Sequence, residues 1–319
     1  MNISENLKSE PLAAATRLTA DITAAAGRYI LGKDAQVRLA LCCLLAEGHL
    51  LIEDIPGIGK TTLAKVLARI LGLEFRRIQC TSDMLPGDIL GVSIFEQTNG
   101  SFTFHPGPIF TQILLADEIN RTTPKTQSAL LEAMEEHQVS LDGATHPLPK
   151  PFWLVATQNP LEQAGAYPLP ESQLDRFLFR LNIGYPDKEA EQQLLAGGGI
   201  GAPLDEIKAL ISADQVLYLQ QAARTVHLAE ALIAYVQDLL AFSRNSGRFA
   251  LGLSPRAGLA LLRAAQSWAL LQGRDFVLPE DVQEMLPHVA GHRLRLADTF
   301  SEPSLDELRQ AFSQVAVPL

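Results

Sequence analysis

Residues 49–72 read HLLIEDIPGIGKTTLAKVLARILG, and the order of their parts decides the fold. The apolar run His49 to Ile52 suits a buried strand. TLAKVLARILG carries apolar residues at helical spacing and ends at Gly72, a helix stop. Between strand and helix, Gly57 and Gly59 allow a tight turn in which backbone N–H groups and the helix N-terminus can cradle phosphates. Lys60 adds charge for the β and γ phosphates of a nucleotide, and the Thr61 hydroxyl suits Mg²⁺. Gly57, Ile58, Gly59, Lys60, Thr61 and Thr62 are therefore the candidate nucleotide-binding residues. The strict pattern G-x-x-x-x-G-K-[ST] has glycine where this chain has Asp54. Aspartate tolerates left-handed backbone angles better than most residues, so the loop is expected to keep its shape.

Outward from this unit, strands and helices alternate. Upstream, the segment from about Pro11 to Gly27 and the run VRLALCCLLAEG have helical apolar spacing. Downstream, VSIFEQTNGSFTFHPG alternates apolar positions on either side of Asn99-Gly100, a strong hairpin signal. Ile113 to Ala116 reads as a second buried strand, and TPKTQSALLEAMEEHQ as an amphipathic helix starting near Thr123-Pro124. A second hairpin is expected around Asp142-Gly143. FWLVATQNP supplies a third buried strand ending in a polar loop, and LDRFLFRLNIGYP a short helix and a fourth strand.

The alternation implies an α/β fold in residues 1–185, a mostly parallel sheet covered on both faces and closing near Gly184 to Pro186. Residues 186–319 are expected to form a smaller all-helical domain. Its helical patterns are broken by GGGIG at Gly197 to Gly201 and continue in AEALIAYVQDLLAFSRN, a helix opened by Ser254-Pro255, and a short helix near Pro279 to Met285.

Composition narrows the functions open to such a fold. Lys and Arg number 26 against 36 Asp and Glu, a formal net charge of −10, which weighs against a protein that coats nucleic acid. No segment reaches the roughly 20 uninterrupted apolar residues of a membrane span, so no membrane insertion is expected. MNISENLKSE lacks the basic end and apolar run of a secretory signal, and the cytoplasm is the expected compartment. The three cysteines have no metal-type spacing and read as core filling. His288 and His292 stand four residues apart, as in a zinc protease helix. Val289 takes the place of that helix's glutamate and no third ligand is evident, so they read as a structural pair.

A nucleotide hydrolase needs an acid at the end of a neighbouring strand for the Mg²⁺ water shell and a second acid to take a proton from attacking water. ILLADEIN provides Asp117 for the metal and Glu118 for the water, both directly after a buried run. Asn159, at the end of the third strand, could orient the water or the γ-phosphate. Arginine suits the charge that develops on a transferred phosphoryl group. Arg176 in LDRF is one candidate, and Arg180, one helical turn later, is an alternative. Arg256 in SPRA falls in the first turn of a helix, an unfavourable place for a cation unless an anion is nearby, which points to a phosphate partner.

With these residues in view, the chain resembles the MoxR family of AAA+ ATPases over nearly its whole length. RIQCTSDMLPGDILG, FHPGPIF, LLADEINRTTPKTQSALLEAMEE, ATQNPLEQAGAYPLPESQLDRFLFRL and GLSPRAG are similar to that family's signature blocks. The resemblance implies that Lys60, Thr61, Asp117 and Glu118 are the Walker A and Walker B residues and Asn159 the first sensor. It also implies Arg176 as arginine finger and Arg256 as second sensor. A finger acts on the neighbouring subunit's nucleotide, so the family logic calls for a homo-oligomeric ring, most often a hexamer. The two hairpins correspond to the family's helix-2 insert and pre-sensor hairpin, both facing a central pore. The resemblance further implies ATP with Mg²⁺, a base pocket for which Ile30-Leu31-Gly32 is a candidate, and chaperone-like action on a protein client, often one with a von Willebrand factor A domain.

Three functions are open to such a chain. The first is an ATP-driven remodeller in which hydrolysis moves a helical lid against the α/β core. The second is a nucleotide-gated scaffold with slow turnover. The third is a DNA motor like other AAA+ rings, which the net charge and the lack of a fused DNA-binding motif disfavour.

Overall fold

The computed structural model describes residues 11–97, 100–160, 165–196 and 204–318. Helices α1 (Pro11–Gly27) and α2 (Asp34–Leu45) precede β1 (Leu50–Glu53) and α3 (Lys60–Ile70). Then come β2 (Phe75–Gln79), α4 (Pro86–Leu90), the hairpin β3 (Gly91–Glu96) and β4 (Ser101–Pro106), β5 (Ile113–Asp117) and α5 (Pro124–Glu136). A second hairpin, β6 (Gln138–Leu141) and β7 (Ala144–Pro147), leads to β8 (Trp153–Gln158), the short α6 (Glu171–Leu174) and β9 (Phe179–Leu181). The remaining described elements are helical, chiefly α7 (Lys188–Ala196), α8 (Ala213–Thr225), α9 (Glu230–Asn245), α10 (Pro255–Leu271), α11 (Pro279–Ala290) and α12 (Leu305–Phe312).

Five strands form one sheet in the order β2-β5-β8-β1-β9, and every pairing in it is parallel. The β1 strand therefore lies inside the sheet, with its C-terminal end beside that of β8, where Glu53 faces Gln158 in register. Side chains alternate across the sheet and split the core in two. Leu50, Ile52, Leu115 and Val155 join Ile22, Leu41 and Leu67 of α1–α3, while Leu51, Leu114, Leu154 and Ala156 join Ile89, Leu130 and Met134 of α4 and α5. The first cluster does not stop at the sheet, because Leu219, Leu239, Leu261 and Leu286 of α8–α11 belong to it too. Helices α1 and α2 thus pack on the helical C-terminal half as well as on the sheet.

Both expected hairpins form. At the second, Leu141 pairs with Ala144, and Asp142 (φ 50°) and Gly143 (φ 80°) both take positive φ, the two-residue turn that suits strand twist. At the first, Glu96 pairs with Ser101; Asn99 lies outside the described residues, as does the GGGIG segment. The Phe104 ring stacks on His146, with centroids 3.9 Å apart and planes 16° from parallel, so the two hairpins touch.

The sequence reading missed β2 and α12, and it ended α11 early, since that helix continues to Ala290. The β2 strand is an edge strand in which Arg76, Arg77 and Gln79 are exposed and Ile78 alone is buried. It therefore lacks the continuous apolar run by which β1, β5 and β8 were read. Among the described residues, no helix is long and apolar enough to cross a membrane.

Candidate active site

The loop between β1 and α3 has the geometry of an anion cradle. Gly57 and Gly59 adopt φ of 85° and 92°, a region that side chains with a Cβ disfavour. A Cβ built on Gly57 would meet nothing within 4 Å, so the glycine serves the backbone angle and leaves open space above the loop. Gly59 caps α3 without a side-chain acceptor, which leaves the first-turn N–H groups of the helix available. Lys60 Nζ lies 2.5 Å from the Asp54 carbonyl and 3.2 Å from that of Gln158, so the ammonium is held over the loop by the ends of β1 and β8.

Asp54 is tolerated for a reason other than the expected one. Its backbone φ is not positive. Instead the Ile55 N–H donates to Asp54 Oδ1 at 2.8 Å and the Gly184 N–H donates to Oδ2 at 2.6 Å. The carboxylate ties the loop to the segment after β9. Nearby, Lys33 Nζ donates to the Tyr185 carbonyl at 2.6 Å, and a Cβ on Gly32 (φ 67°) would strike Ala190 Cβ at 2.8 Å. The Ile30-Leu31-Gly32 turn is thereby brought against the same post-β9 segment and α7.

Asp117 ends β5 and is nearly buried. Thr157 Oγ1 donates to its Oδ1 at 2.5 Å, while Arg77 of β2 donates to Oδ2 through Nη2 at 2.5 Å and Nε at 3.1 Å. Glu118 follows in a left-handed conformation (φ 57°, ψ 50°), its N–H donates to Thr157 Oγ1 at 2.9 Å, and its carboxylate pairs with Arg121 at 3.1 Å. Asn159 is buried just beyond the end of β8. Parallel pairing of β5, β8 and β1 thus collects Lys60, Asp117, Glu118 and Asn159 at the C-terminal edge of one sheet. Thr61 and Thr62 follow Lys60 in the first turn of α3. A hard cation such as Mg²⁺ takes oxygen ligands, of which the Asp117 carboxylate and the Thr61 hydroxyl would supply two kinds at this sheet edge. The buried Gln158 Nε2 at this edge has no protein acceptor. Sequence reasoning passed over Arg77, Thr157 and the carbonyl of Gln158. Arg77 sits on the strand that was missed, and a backbone carbonyl leaves no mark in a sequence.

The arginines lie elsewhere. Arg176 precedes β9, whose Phe179 pairs with Leu50 at the start of β1, so it sits toward the N-terminal end of the strands. Strand length separates that end from the loop by roughly 10 Å. Arg176 Nη1 donates to the Leu131 carbonyl at 2.9 Å and pairs with Glu135 at 2.8 Å, and Arg256 takes the other oxygen of Glu135 at 2.9 Å. The two arginines share a cavity of about 370 Å³ with His49, His137, Arg263 and Arg293. The anion that offsets Arg256 at the start of α10 is here a carboxylate, so its helix position alone does not demand a phosphate. Arg180 is spoken for: it is partly buried and held by Glu53 at 3.1 Å, by Glu302, and by the Gly291 carbonyl at 3.1 Å.

The cysteines and the His288 and His292 pair lie in the core. Cys42, Cys43 and Cys80 are buried, and burial pushes the Cys80 thiol up to about 12. His292 Nε2 bonds the Phe177 carbonyl at 3.0 Å. Burial lowers His292 well below its usual range and His288 to about 4. Among the described residues no cluster of three or more His, Cys, Asp or Glu could hold a metal.

The chain is similar to known proteins over most of its length. The model of the ATPase family associated with various cellular activities matches residues 49–179, and that of the AAA lid domain matches residues 241–313. Chaperone MoxR1 of Mycobacterium tuberculosis is 42% identical over 91% of this chain and 80% of its own. Protein MoxR of Paracoccus denitrificans is 30% identical over 93% and 96%. The uncharacterised YeaC of Bacillus subtilis is 43% identical over 92% of each chain. The crystal structure of a proposed ATPase from Cytophaga hutchinsonii superposes with a TM-score of 0.89 at 32% identity, covering 100% of both chains.

Proposed function

Because the chain belongs to the MoxR family of AAA+ ATPases, whose members bind nucleotide, we propose that it hydrolyses ATP as a ring-forming, chaperone-like remodeller of a protein client. The observation that carries the reading is the convergence of Lys60, Asp117, Glu118 and Asn159 at one sheet edge, above a loop with two left-handed glycines. The N–H groups of residues 57–62 hold the phosphates, Lys60 neutralises them, and Glu118 accepts a proton from water oriented by Asn159. Thr61 and Asp117 would hold Mg²⁺, Asp117 through water, and the ion would supply charge neutralisation on the phosphate oxygens.

Arg176 and Arg256 serve a neighbouring copy's nucleotide, as supported by their pairing on one carboxylate at the sheet end away from Lys60. A hexamer is the ring size this reading favours. The client contacts fall to the hairpins, of which the first exposes Ile94, Phe95 and Phe102; a partner with a von Willebrand factor A domain is the class proposed. The test is ATP turnover across a protein concentration series, with mass followed by light scattering. Turnover per subunit should rise with assembly and fall roughly 10²-fold or more in Glu118→Gln, the scale of a lost catalytic base. Arg176→Ala and Arg256→Ala should lose turnover while still binding ATP. Concentration-independent turnover unaffected by either arginine variant would refute action between subunits.

A further inference from the structure

Asp117 carries two different kinds of partner. Its Oδ1 is fixed by Thr157 Oγ1 at 2.5 Å, and its backbone is fixed by pairing with Gln79 and by the Cys80 N–H donating to its carbonyl at 2.9 Å. These neutral contacts hold the residue in place. On Oδ2 sits the Arg77 guanidinium, at 2.5 Å and 3.1 Å. Asp117 is 12% exposed at its side chain and Arg77 44% exposed, so the arginine reaches in from solvent. Arg77 also donates to Gln79 Oε1 at 2.8 Å, a second acceptor on its own edge strand, which lies beyond β5 from β1.

We propose that Arg77 is a resident counter-ion that competes with magnesium for Asp117, setting the Mg²⁺ concentration at which nucleotide is held productively. The inference rests on the reading of Asp117 as the magnesium residue. Both cations are attracted to one carboxylate and repel each other, and at a partly buried site that repulsion is weakly screened. Arg77 occupies Asp117 Oδ2 while also reaching Gln79 Oε1, so it can turn toward Gln79 when magnesium takes its place. Because Thr157 and the sheet already orient Asp117, loss of Arg77 removes charge without removing position.

The experiment titrates Mg²⁺ against binding of a fluorescent, non-hydrolysable ATP analogue to the full-length protein, with folding checked by circular dichroism. Arg77→Gln should bind with a Mg²⁺ midpoint lowered about three- to tenfold, the weight of one partly exposed ion pair. Arg77→Lys, which keeps the charge, should return the midpoint toward the parent value, and binding without Mg²⁺ should be unchanged in both. A structural role for Arg77 would lower thermal stability and leave the midpoint where it was, and a positioning role would raise it; either result overturns the proposal. Asp117→Asn separates the two readings. If that variant keeps the parent's Mg²⁺ dependence, Asp117 is not the magnesium residue and the proposal falls with it; if it loses that dependence while Arg77→Gln shows no shift, the Arg77 inference alone fails.

Discussion

At the scale of single residues, Asp54 replaces a backbone rule with a side-chain one. Its carboxylate receives the N–H groups of Ile55 and Gly184, which a glycine at this position would leave without that acceptor. Restoring the strict motif should therefore weaken the protein. Asp54→Gly is expected to lower stability by about 1–2 kcal/mol, the range for hydrogen bonds to a charged group together with added backbone freedom. Thermal denaturation checks this, and an unchanged or raised melting temperature would show that the two contacts carry no weight. The carboxylate also bridges to the post-β9 segment, so the same variant should weaken ATP binding more than it slows turnover at saturating ATP.

At the scale of elements, the base of the first hairpin leaves no room for a side chain. A Cβ on Gly107 would stand 2.2 Å from the Ile89 carbonyl oxygen and 2.5 Å from the Gly91 nitrogen, both backbone atoms that cannot swing aside. The requirement is close approach between α4 and the strand ends, since Gly107 has no positive φ. Gly107→Ala should destabilise by about 1–3 kcal/mol through overpacking. It should also disturb the proposed client contacts while leaving ATP affinity near the parent's, because the backbone that a Cβ on Gly107 would strike belongs to Ile89 and Gly91 and not to the loop after β1. Hydrogen exchange localised to β3 and β4 is the measurement; uniform protection in variant and parent would contradict it. A second stitch lies beside the acids, where the buried Gln127 Nε2 reaches the carbonyls of Ile119, Thr122 and Tyr167 and joins the loop after β5 to the segment before α6.

At the scale of the whole molecule, the end of α11 is pinned to the entry of β9 by buried polar groups. Arg293 pairs with Asp175 at 2.6 Å and donates to the carbonyls of Phe177, Leu178 and Val289. Arg293→Ala should cost about 3–5 kcal/mol, because it strands buried acceptors along with the carboxylate. Three histidines are buried: His49 just before β1, His288 in α11 and His292 just after it. Burial holds His49 near 3 and His288 near 4, and keeps His292 well below its usual value. A depressed folded value means that the unfolded chain binds protons first. Stability should then be level above about pH 6.5 and fall as pH drops toward 4, by up to about 1.4 kcal/mol per pH unit for each histidine. Melting temperature against pH tests this, and His288→Gln should flatten the slope by one histidine's share.

What could be read from the sequence was local or periodic. The phosphate loop, the buried strands β1, β5 and β8 and the acids that follow β5 are each specified within a few consecutive residues, because strand burial, helix stops and glycine angles act over that range. Both hairpins were legible for the same reason. The edge strand β2 was not, since half its surface faces solvent and its composition carries no apolar run. The partners of the site residues were likewise out of reach. Arg77 meets Asp117 across 40 positions, Gly184 meets Asp54 across 130, and Arg256 joins Arg176 only through Glu135. Such contacts depend on strand order and helix packing, which sum weak preferences over the entire chain. Tertiary structure alone therefore decided which cation faces the proposed magnesium carboxylate, that Arg180 is a partly buried tie, and that the two candidate trans-acting arginines stand together at the far end of the sheet.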